Sequence, residues 1–408
     1  MRLGFLAPFP NKKGGRLVCH EAYISRIPKD SYSFVFSHNR WEIPSVMLLK
    51  EIFTKERIKE REEGDGMKRV RIVLAGYGNV GYRFAEIMKD KYKAVSQNYG
   101  LELQLVAVIG RRYAVYEDRG ISLDKLLDCG KHGKGLAGYG EGAYPIESSL
   151  DILKNIRAHV LVEATPTNIE TGEPGYSHMR QAFRSGMDVV ALSKGALVCH
   201  YREIMEEMQK HHRRIKVSGA TAAALPTIDM GQYNLAGNDI YRIQGIFNGT
   251  TNYILTRMHK EGIPYHAALK EAQEKGIAEA DPRLDVGGFD TASKLLILVN
   301  SLMNTAYTLK DIEIQGIEKI DGKDIMEARQ KDRTIKLVGE AFRTEDGIKM
   351  QVRPMELENS NLLSKADYKD KAVVFYTDLM GTISVIGGGS DPKAAAAAAF
   401  KDIINLYK

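Results

Sequence analysis

A glycine-rich turn between a strand-like and a helix-like segment limits what this chain can fold into more than any other feature. The apolar, β-branched residues 70–75 precede the turn, and residues 80–92 have the spacing of an amphipathic helix. Gly76, Gly78 and Gly81 form the pattern GxGxxG between them. Such a turn presents backbone N–H groups and the positive end of a helix to a pyrophosphate. It predicts a dinucleotide site, with close packing of helix on strand as the alternative; the site would comprise Gly76, Gly78, Asn79, Val80 and Gly81.

Strand-like and helix-like segments alternate beyond this turn. Residues 101–110, 158–166 and 188–194 have the composition of strands. The alternation predicts an α/β fold with a doubly wound, parallel sheet of the Rossmann type. Near the end of the sequence, Asp391 is a suitable N-cap and Pro392 a suitable first residue for a further helix.

The charge pattern and the hydropathy exclude two classes of partner. The chain has 58 lysines and arginines against 52 acidic residues, a net charge of +6, and the two signs are interleaved. The sequence therefore lacks the basic stripe that nucleic acid needs. No apolar run approaches the ~20 residues of a membrane span. We expect neither a nucleic-acid partner nor a membrane partner.

The cysteines indicate the compartment. Cys19, Cys129 and Cys199 are far apart and do not have the CxxC spacing of a structural zinc site. This spacing argues against a disulfide framework and against a bound metal, and it fits a reducing cytoplasm.

Residues 1–66 differ from the rest of the chain. They contain the only tryptophan, Trp41, and end in the charged, helix-like residues 51–66. Met67 then begins the Rossmann pattern. Two interpretations stay open: an N-terminal extension of unknown role that could be a start-site artefact, with Met67 as the native start, or an accessory layer on the core.

The end of the second predicted strand bears on coenzyme choice. NAD enzymes usually place an acidic residue there to bind the ribose 2′-hydroxyl. In this chain Arg111 and Arg112 follow the strand instead. Guanidinium groups suit a 2′-phosphate, so we favour NADP over NAD. The alternative is that both arginines are exposed loop residues.

The segment IAEADPRLDVGGFDTASK crowds acidic side chains ahead of one lysine. Asp290 is expected to cap a helix that begins at Thr291 and to pair with Lys294 four residues on. The glycines and the proline of the loop can bend Glu279 and Asp285 back toward this lysine. Partial burial would lower the pKa of the lysine toward that of a usable acid or base. A structural and a catalytic interpretation both stay open.

A polar cluster, residues 248–252 (NGTTN), precedes the apolar helix-like run that follows. Backbone N–H groups at a helix start suit a substrate carboxylate. The alternative is a simple capping turn, since Asn and Thr are preferred there.

Several motifs together resemble one enzyme family. GYGNVG, LSKGALV, GIFNGTTNYILTRM, EADPRLDVGGFDTASKLLIL, IQGIEKI and GGGSDPKAAAAAAFKDII occur in this order. From about Met67 onward the chain resembles homoserine dehydrogenase; residues 1–66 are not covered. The resemblance implies reversible, NAD(P)H-dependent reduction of L-aspartate 4-semialdehyde to L-homoserine in threonine and methionine biosynthesis. It also implies the short form, without an ACT or aspartate kinase domain.

The resemblance also implies the roles of individual residues. In this family two lysines serve the reacting oxygen, and acidic residues hold the catalytic lysine and the substrate's ammonium group. The implied catalytic residues are Lys294, Asp290 and Lys194, and the implied substrate-binding residues are Glu279, Asp285, Gly249 and Thr250. The residues implied near the coenzyme are Thr165, Pro166 and again Lys194.

Domains and assembly follow from the same resemblance. It implies a Rossmann domain over 67–217, joined by a C-terminal helix at 390–408, and a substrate-binding and dimerisation domain of α+β type over 218–389. A homodimer is expected. The stretch SGATAAALP departs from the family pattern, because Ser218 stands where some members have a glutamate that helps to bind a monovalent cation.

Two rival functions remain at this stage. One is a related dehydrogenase that acts on another small aldehyde or amino acid. The other is a nucleotide-binding regulator without catalysis, against which the presence of Lys194, Asp290 and Lys294 argues.

Overall fold

A computed structural model describes residues 67–131 and 135–408, together with three short strands before them. These strands are β1 (Tyr23–Ile24), β2 (Ser33–Phe36) and β3 (Asn39–Glu42), and they pair antiparallel in sequence order. The chain divides into two units, Met1–Lys68 and Arg69–Lys408. The helix expected over 51–66 lies outside the described residues, and the role of 1–66 stays a prediction.

The first large sheet has the strand order β10-β9-β8-β4-β5-β6-β7. Its strands are β4 (Lys68–Ala75), β5 (Leu101–Ile109), β6 (Tyr113–Tyr116), β7 (Ala143–Pro145), β8 (Val160–Glu163), β9 (Asp188–Ala191) and β10 (Ile215–Lys216). Strands β4, β8, β9 and β10 pair parallel, which confirms the predicted Rossmann-type sheet. Strands β5, β6 and β7 pair antiparallel, because a turn of three residues follows β5 where a crossover helix was expected.

The helices of the described residues follow in chain order. They are α1 (Asn79–Tyr99), α2 (Leu123–Lys131), α3 (Ser149–Asn155), α4 (Gly175–Arg184), α5 (Gly195–Cys199), α6 (Tyr201–Lys210), α7 (Ser218–Thr221), α8 (Thr227–Asp229), α9 (Gly249–Glu261), α10 (Tyr265–Glu274), α11 (Arg283–Val286), α12 (Phe289–Leu302), α13 (Gly322–Gln330) and α14 (Pro392–Tyr407). No described helix combines the length and the apolar character that crossing a bilayer requires.

The C-terminal helix α14 packs against α1, the helix that the glycine turn opens. The side chain of Asp391 accepts a hydrogen bond from the backbone N–H of Ala394, and Pro392 is the first helical residue, so the predicted start is confirmed. Ala396 and Ala399 are buried in the same apolar cluster as Phe84 of α1. Their small side chains let the two helices approach closely.

The second large sheet has the strand order β12-β14-β13-β11-β15-β16. Its strands are β11 (Ile240–Ile246), β12 (Ile312–Ile314), β13 (Arg333–Thr344), β14 (Gly347–Glu358), β15 (Lys371–Thr377) and β16 (Gly381–Gly387). Neighbours pair antiparallel, except that β12 and β14 are parallel. Helices α9 and α12 contact this sheet, and α12 buries nine of its fourteen residues, among them every residue from Leu295 to Asn300. This explains why LLILVN follows Lys294 directly.

The two sheets share one apolar core. Val73 and Val189 of the first sheet, Phe375 of the second, and Leu296 of α12 belong to one cluster of buried side chains. Residues 69–408 form one compact unit by their contacts. The division into domains at 67–217 and 218–389 therefore stays a prediction.

A buried polar cluster ties α14 to the segment that leads from the first sheet to the second. Asp402 has no exposed surface, and it accepts hydrogen bonds from the backbone N–H (3.2 Å) and the hydroxyl (2.9 Å) of Ser218. The ammonium group of Lys401 lies 3.0 Å from Asp402 and also pairs with Asp229. Burial raises the pKa of Asp402, although Lys401 and Ser218 oppose that rise.

We expect Asp402→Ala to lower the free energy of unfolding by about 3–5 kcal/mol, because it leaves buried polar partners without their acceptor. Urea unfolding followed by circular dichroism measures the change. Lys393→Ala, at an exposed position of the same helix, is the control and should change the free energy by less than ~0.5 kcal/mol. Equal stability of the two variants would contradict a stabilising role for this cluster.

Candidate active site

A cavity of about 780 Å³ lies at the carboxyl ends of β4, β8 and β9. Its other wall comes from the starts of α9, α12, α14 and β15. The residues that line it include Val80, Thr165, Lys194, Asn248, Gly249, Thr250, Asp285, Asp290, Lys294, Lys371, Gly389 and Ser390. The first-sheet strands β4 and β8 are neighbours although they are far apart in sequence, and such a reversal of strand order is where doubly wound sheets bind their ligands.

The glycine turn has the shape that a dinucleotide requires. Gly76 has a φ of +98°, and a Cβ there would lie 2.4 Å from the carbonyl oxygen of Ala164. A Cβ on Gly81 would lie 2.2 Å from the carbonyl oxygen of Gly76. At Gly78, the N-cap of α1, a Cβ would meet no described atom within 4 Å, and no side chain caps the helix. The backbone is thus close-packed on one side and open to an anion on the other, which fits a nicotinamide dinucleotide.

The other residues predicted near the coenzyme are placed differently from one another. Thr165 lines the cavity directly after β8, whereas Pro166 is exposed and lies outside the lining. Arg111 and Arg112 are exposed on the turn between β5 and β6, also outside the lining. No carboxylate occupies the two positions that follow β5.

Across the cavity, one carboxylate joins the predicted catalytic residues. The ammonium nitrogen of Lys294 lies 2.6 Å from Oδ2 of Asp290 and donates to the carbonyl oxygen of Phe247 at 2.8 Å. The ammonium nitrogen of Lys194, just before α5, lies 3.6 Å from Oδ1 of Asp290. The structure therefore brings together two lysines that are one hundred positions apart in sequence, with the carboxylate of Asp290 between them.

Asn248 extends this network to a second carboxylate. Its amide nitrogen donates to Asp290 at 2.8 Å and to Asp285 at 2.7 Å. Its side-chain oxygen accepts from the backbone N–H of Thr251 at 2.8 Å, so it is also the N-cap of α9. The capping turn, which the sequence left open as the alternative, is present. The same side chain also fixes two carboxylates, which a local pattern could not reveal.

The start of α12 corrects one expectation. The helix begins at Phe289 with Gly288 as its N-cap, so the prediction that Asp290 caps a helix beginning at Thr291 was wrong. Gly288 has a φ of +86°, a conformation that glycine adopts without strain and that brings the chain into the helix earlier. The predicted i,i+4 ion pair of Asp290 with Lys294 is confirmed.

The pKa values of the two carboxylates, Asp290 and Asp285, shift in opposite directions. Burial alone would raise the pKa of Asp290, but Lys294 and Lys194 outweigh it and hold this pKa well below its usual range. Burial and the neighbouring charge of Asp290 raise the pKa of Asp285, although Asn248 opposes them. The site thus contains a permanently ionised carboxylate that the lysines neutralise and a second one that a cationic ligand would stabilise.

Three further predicted residues have distinct positions. Gly249 and Thr250 line the cavity at the start of α9, and the hydroxyl of Thr250 donates to the carbonyl oxygen of Ile277 at 3.0 Å. Glu279 is exposed and lies outside the lining, with its backbone carbonyl accepting from Gln273. The loop therefore brings Asp285 into the cavity lining with Lys294, whereas Glu279 stays outside it.

Sequence reasoning missed Glu163, the last residue of β8. This side chain is fully buried, and it accepts hydrogen bonds from the hydroxyls of Thr165 and Ser193. Nδ1 of His178 lies 3.6 Å away. Glu163 thereby joins the loop that carries Thr165 to the loop that carries Lys194. An acid at the end of an otherwise apolar strand was the available signal.

Sequence reasoning also missed Lys371, the first residue of β15. It is 3% exposed and lines the cavity. Its ammonium nitrogen donates to the carbonyl oxygens of Ala222 (2.9 Å) and Gly389 (3.4 Å). Burial, reinforced by the charges of Lys294 and Lys194, lowers the pKa of Lys371 to about 7. Nothing local in the sequence distinguished it from a surface lysine.

Fold and site together define a class of protein. A Rossmann-type sheet carries an open glycine turn, and Val80 of this turn lines one cavity together with a lysine–carboxylate cluster. Nicotinamide coenzymes exchange hydride, and cationic side chains stabilise the oxygen from which or to which it moves. This arrangement is that of a nicotinamide-dependent oxidoreductase.

Comparisons with known proteins identify the family. Residues 76–218 match the family description "Homoserine dehydrogenase, NAD binding domain", and residues 226–404 match "Homoserine dehydrogenase". The chain belongs to the homoserine dehydrogenase family, as its motifs indicated. It is an NAD(P)-dependent oxidoreductase that acts on a CH–OH group.

Individual relatives agree with this assignment. Homoserine dehydrogenase of Methanocaldococcus jannaschii is 37% identical over 336 residues, which cover 82% of this chain and 98% of that protein. The NAD(+)-dependent homoserine dehydrogenase of Pseudomonas canavaninivorans is 30% identical over 344 residues, which cover 84% and 97%. The crystal structure of homoserine dehydrogenase from Thermoplasma acidophilum superposes with a TM-score of 0.72 at 26% identity, and covers 83% of this chain and 99% of that one.

Proposed function

We propose that the chain reversibly reduces L-aspartate 4-semialdehyde to L-homoserine with NADP(H), and that Lys294 and Lys194 act at the reacting oxygen. The carrying observation is that Asp290 lies between these two ammonium groups in the lining of the cavity to which Val80 of the glycine turn also belongs. The coenzyme, when bound, supplies the hydride that the aldehyde carbon receives.

Both lysines have the donors that this chemistry needs. As hydride reaches the aldehyde carbon, the carbonyl oxygen gains negative charge and must receive a proton. An ammonium group has three donors, and Lys294 uses two of them on Phe247 and Asp290. One N–H of Lys294 is left for a substrate oxygen. Lys194, on the opposite side of Asp290, adds a second positive charge to stabilise the alkoxide.

The acidic side of the site suits the ammonium group of an amino acid. Asp285 lines the cavity, and its raised pKa means that a nearby cation would stabilise its ionised form. Gly249 and Thr250 place the N-terminus of α9 on the same wall. The role of Glu279 in holding the ammonium group stays a prediction, since it lies outside the cavity in this structure.

Replacing Lys294 by methionine should lower kcat about 10²–10⁴-fold, because the variant lacks the positioned proton donor. NADPH oxidation in the presence of aspartate semialdehyde measures this. Lys310→Met removes an exposed lysine just beyond α12 and should leave kcat unchanged. An active Lys294→Met enzyme would contradict the assigned role. A wild type that binds NADPH but reduces no aldehyde would favour a nucleotide-binding regulator.

For the coenzyme we propose NADP(H) in preference to NAD(H). Arg111 and Arg112 lie in the three-residue turn after β5, and no carboxylate takes the place where it would hold a ribose 2′-hydroxyl. The NAD(+)-dependent relative shows that the family contains enzymes of the other preference.

The double variant Arg111→Ala/Arg112→Ala should raise KM for NADPH about 10- to 100-fold and leave KM for NADH unchanged, because hydrogen bonds between charged groups contribute ~1.5–3 kcal/mol. Steady-state kinetics with both coenzymes measure this. Arg119→Ala, at another exposed position of the same sheet region, is the control. Equal effects on the two coenzymes would refute a 2′-phosphate contact.

We further propose that the enzyme is a cytoplasmic homodimer built on the second sheet. In support, β16 is the outer strand of that sheet, and Leu379 (75% exposed), Met380 and Ile386 present apolar surface there. The spacing of the cysteines supports the compartment.

Sedimentation equilibrium at micromolar concentration should give a mass near twice the 45.5 kDa of one chain. Ile386→Lys should shift the mass toward that of one chain, because it places a charge on the edge strand. Met326→Lys, on exposed α13, should not. A monomeric wild type would refute the dimer.

A further inference from the structure

The ammonium group of Lys371 is buried without a counter-ion. Its two hydrogen-bond partners are backbone carbonyls, and no carboxylate of the described residues lies within 4 Å of it. Burying a lysine is unfavourable unless its charge is paired or its proton is lost. The position therefore needs an explanation outside the packing of the fold.

A second buried lysine shows what a purely structural position looks like. Lys336, on β13 of the same sheet, is 1% exposed. Its ammonium nitrogen lies 3.3 Å from Asp367 and also donates to Asn252 (3.0 Å) and to the carbonyl oxygen of Ala366 (2.6 Å). Lys336 is not part of the cavity lining, whereas Lys371 is. The lysine without a counter-ion is thus the one that faces the cavity.

The charges around Lys371 favour the binding of an anion. Lys294 and Asp290 approach it from α12, Lys194 from the loop before α5, and Asp391 from the segment before α14. The charge of Asp290 is already shared by the other two lysines. Burial and these lysines lower the pKa of Lys371 to about 7, so a bound anion would raise it again.

The position of Lys371 relative to α9 indicates which anion this is. A Cβ on Gly249, the first residue of α9, would lie 3.3 Å from the carbonyl oxygen of Lys369 and 3.3 Å from the hydroxyl oxygen of Ser390. The segments that carry Lys371 and its partner Gly389 therefore adjoin the positive end of α9. Asp285, the proposed ammonium ligand, lines the same cavity.

We propose that Lys371 is a further substrate-binding residue, and that its ammonium group holds the carboxylate of the amino-acid substrate beside the N-terminus of α9. The inference rests on the function proposed above. Asp285 binds the substrate's ammonium group, Lys294 and Lys194 serve the reacting oxygen, and Lys371 binds the third polar group. Each of the three functional groups of homoserine then has its own partner.

Three alcohol substrates that differ in their charged groups distinguish the contact of Lys371 from that of Asp285. L-Homoserine has both the ammonium and the carboxylate group, 4-hydroxybutyrate lacks the ammonium group, and 3-amino-1-propanol lacks the carboxylate. In NADP-dependent oxidation, Lys371→Met should raise KM about 10- to 100-fold for the first two and leave that of 3-amino-1-propanol unchanged. Asp285→Asn should instead raise KM for homoserine and 3-amino-1-propanol. Lys365→Met removes an exposed lysine that is outside the lining of the cavity and is the control.

Proton uptake gives a readout that does not depend on the variant's folding. In the free enzyme above pH 7 Lys371 is mostly neutral, and a bound carboxylate raises its pKa, so binding takes up a proton. Titration calorimetry of wild type saturated with NADPH, with which an alcohol forms an unreactive complex, at pH 8 and in buffers of different ionisation enthalpy should show an uptake that approaches one proton for homoserine. It should show none for 3-amino-1-propanol. Below about pH 6 the uptake should disappear, because Lys371 is already charged.

The outcomes separate this inference from the proposed function. If wild type oxidises no homoserine with either coenzyme, the proposed function fails and this inference with it. If wild type is active but Lys371→Met raises KM equally for all three alcohols, or raises KM for NADP alone, Lys371 does not bind the carboxylate. Absence of proton uptake by wild type would overturn the proposal in the same way.

Discussion

The carboxylate of Asp290 is the contact on which the active site depends. It pairs with Lys294 one helical turn further along α12, with Lys194 at the end of β9, and with Asn248 at the start of α9. Helix α12 is buried in the core that both sheets share, so its position is fixed by packing. The two lysines are mutually repulsive, and one ionised carboxylate lets both remain on the same side of the cavity.

The coenzyme side of the cavity depends on close backbone approach. Gly76 and Gly81 allow β4, α1 and the chain after β8 to meet at distances that any side chain would prevent. Glu163 accepts hydrogen bonds from the hydroxyls of Thr165 and Ser193. It thereby holds together the two loops that follow the neighbouring parallel strands β8 and β9. The glycine turn, Thr165 and Lys194 lie at one edge of the sheet because the parallel strands β4, β8 and β9 end there.

Buried charge in this protein follows two patterns. Asp402 and Lys336 are charged groups whose partners lie in the fold itself, and they stabilise the junction and the second sheet. Asp285 and Lys371 have incomplete pairing and a place in the cavity lining, and burial beside a like charge raises the pKa of Asp285 and lowers that of Lys371. Groups of the second kind can form an ion pair with a charged ligand. The negative charge of Asp285 and the positive charge of Lys371 are complementary to the ammonium and carboxylate groups of an amino acid.

The sequence by itself determined the glycine turn, the C-terminal helix, the pair of Asp290 with Lys294 and the alternation of strands and helices that predicts a Rossmann-type sheet, because each of these depends on residues that are close in the chain. Only the tertiary structure decided that α12 begins at Phe289 with Gly288 as its N-cap, that Asp285 but not Glu279 lines the cavity, and that Lys371 is a buried residue of the same lining. These facts depend on contacts between segments that are distant in sequence, such as Lys371 with Ala222, and burial of a lysine leaves no local signal. Local periodicity and capping are encoded within a few residues, whereas the pKa of a side chain is set by every charge that folding brings near it.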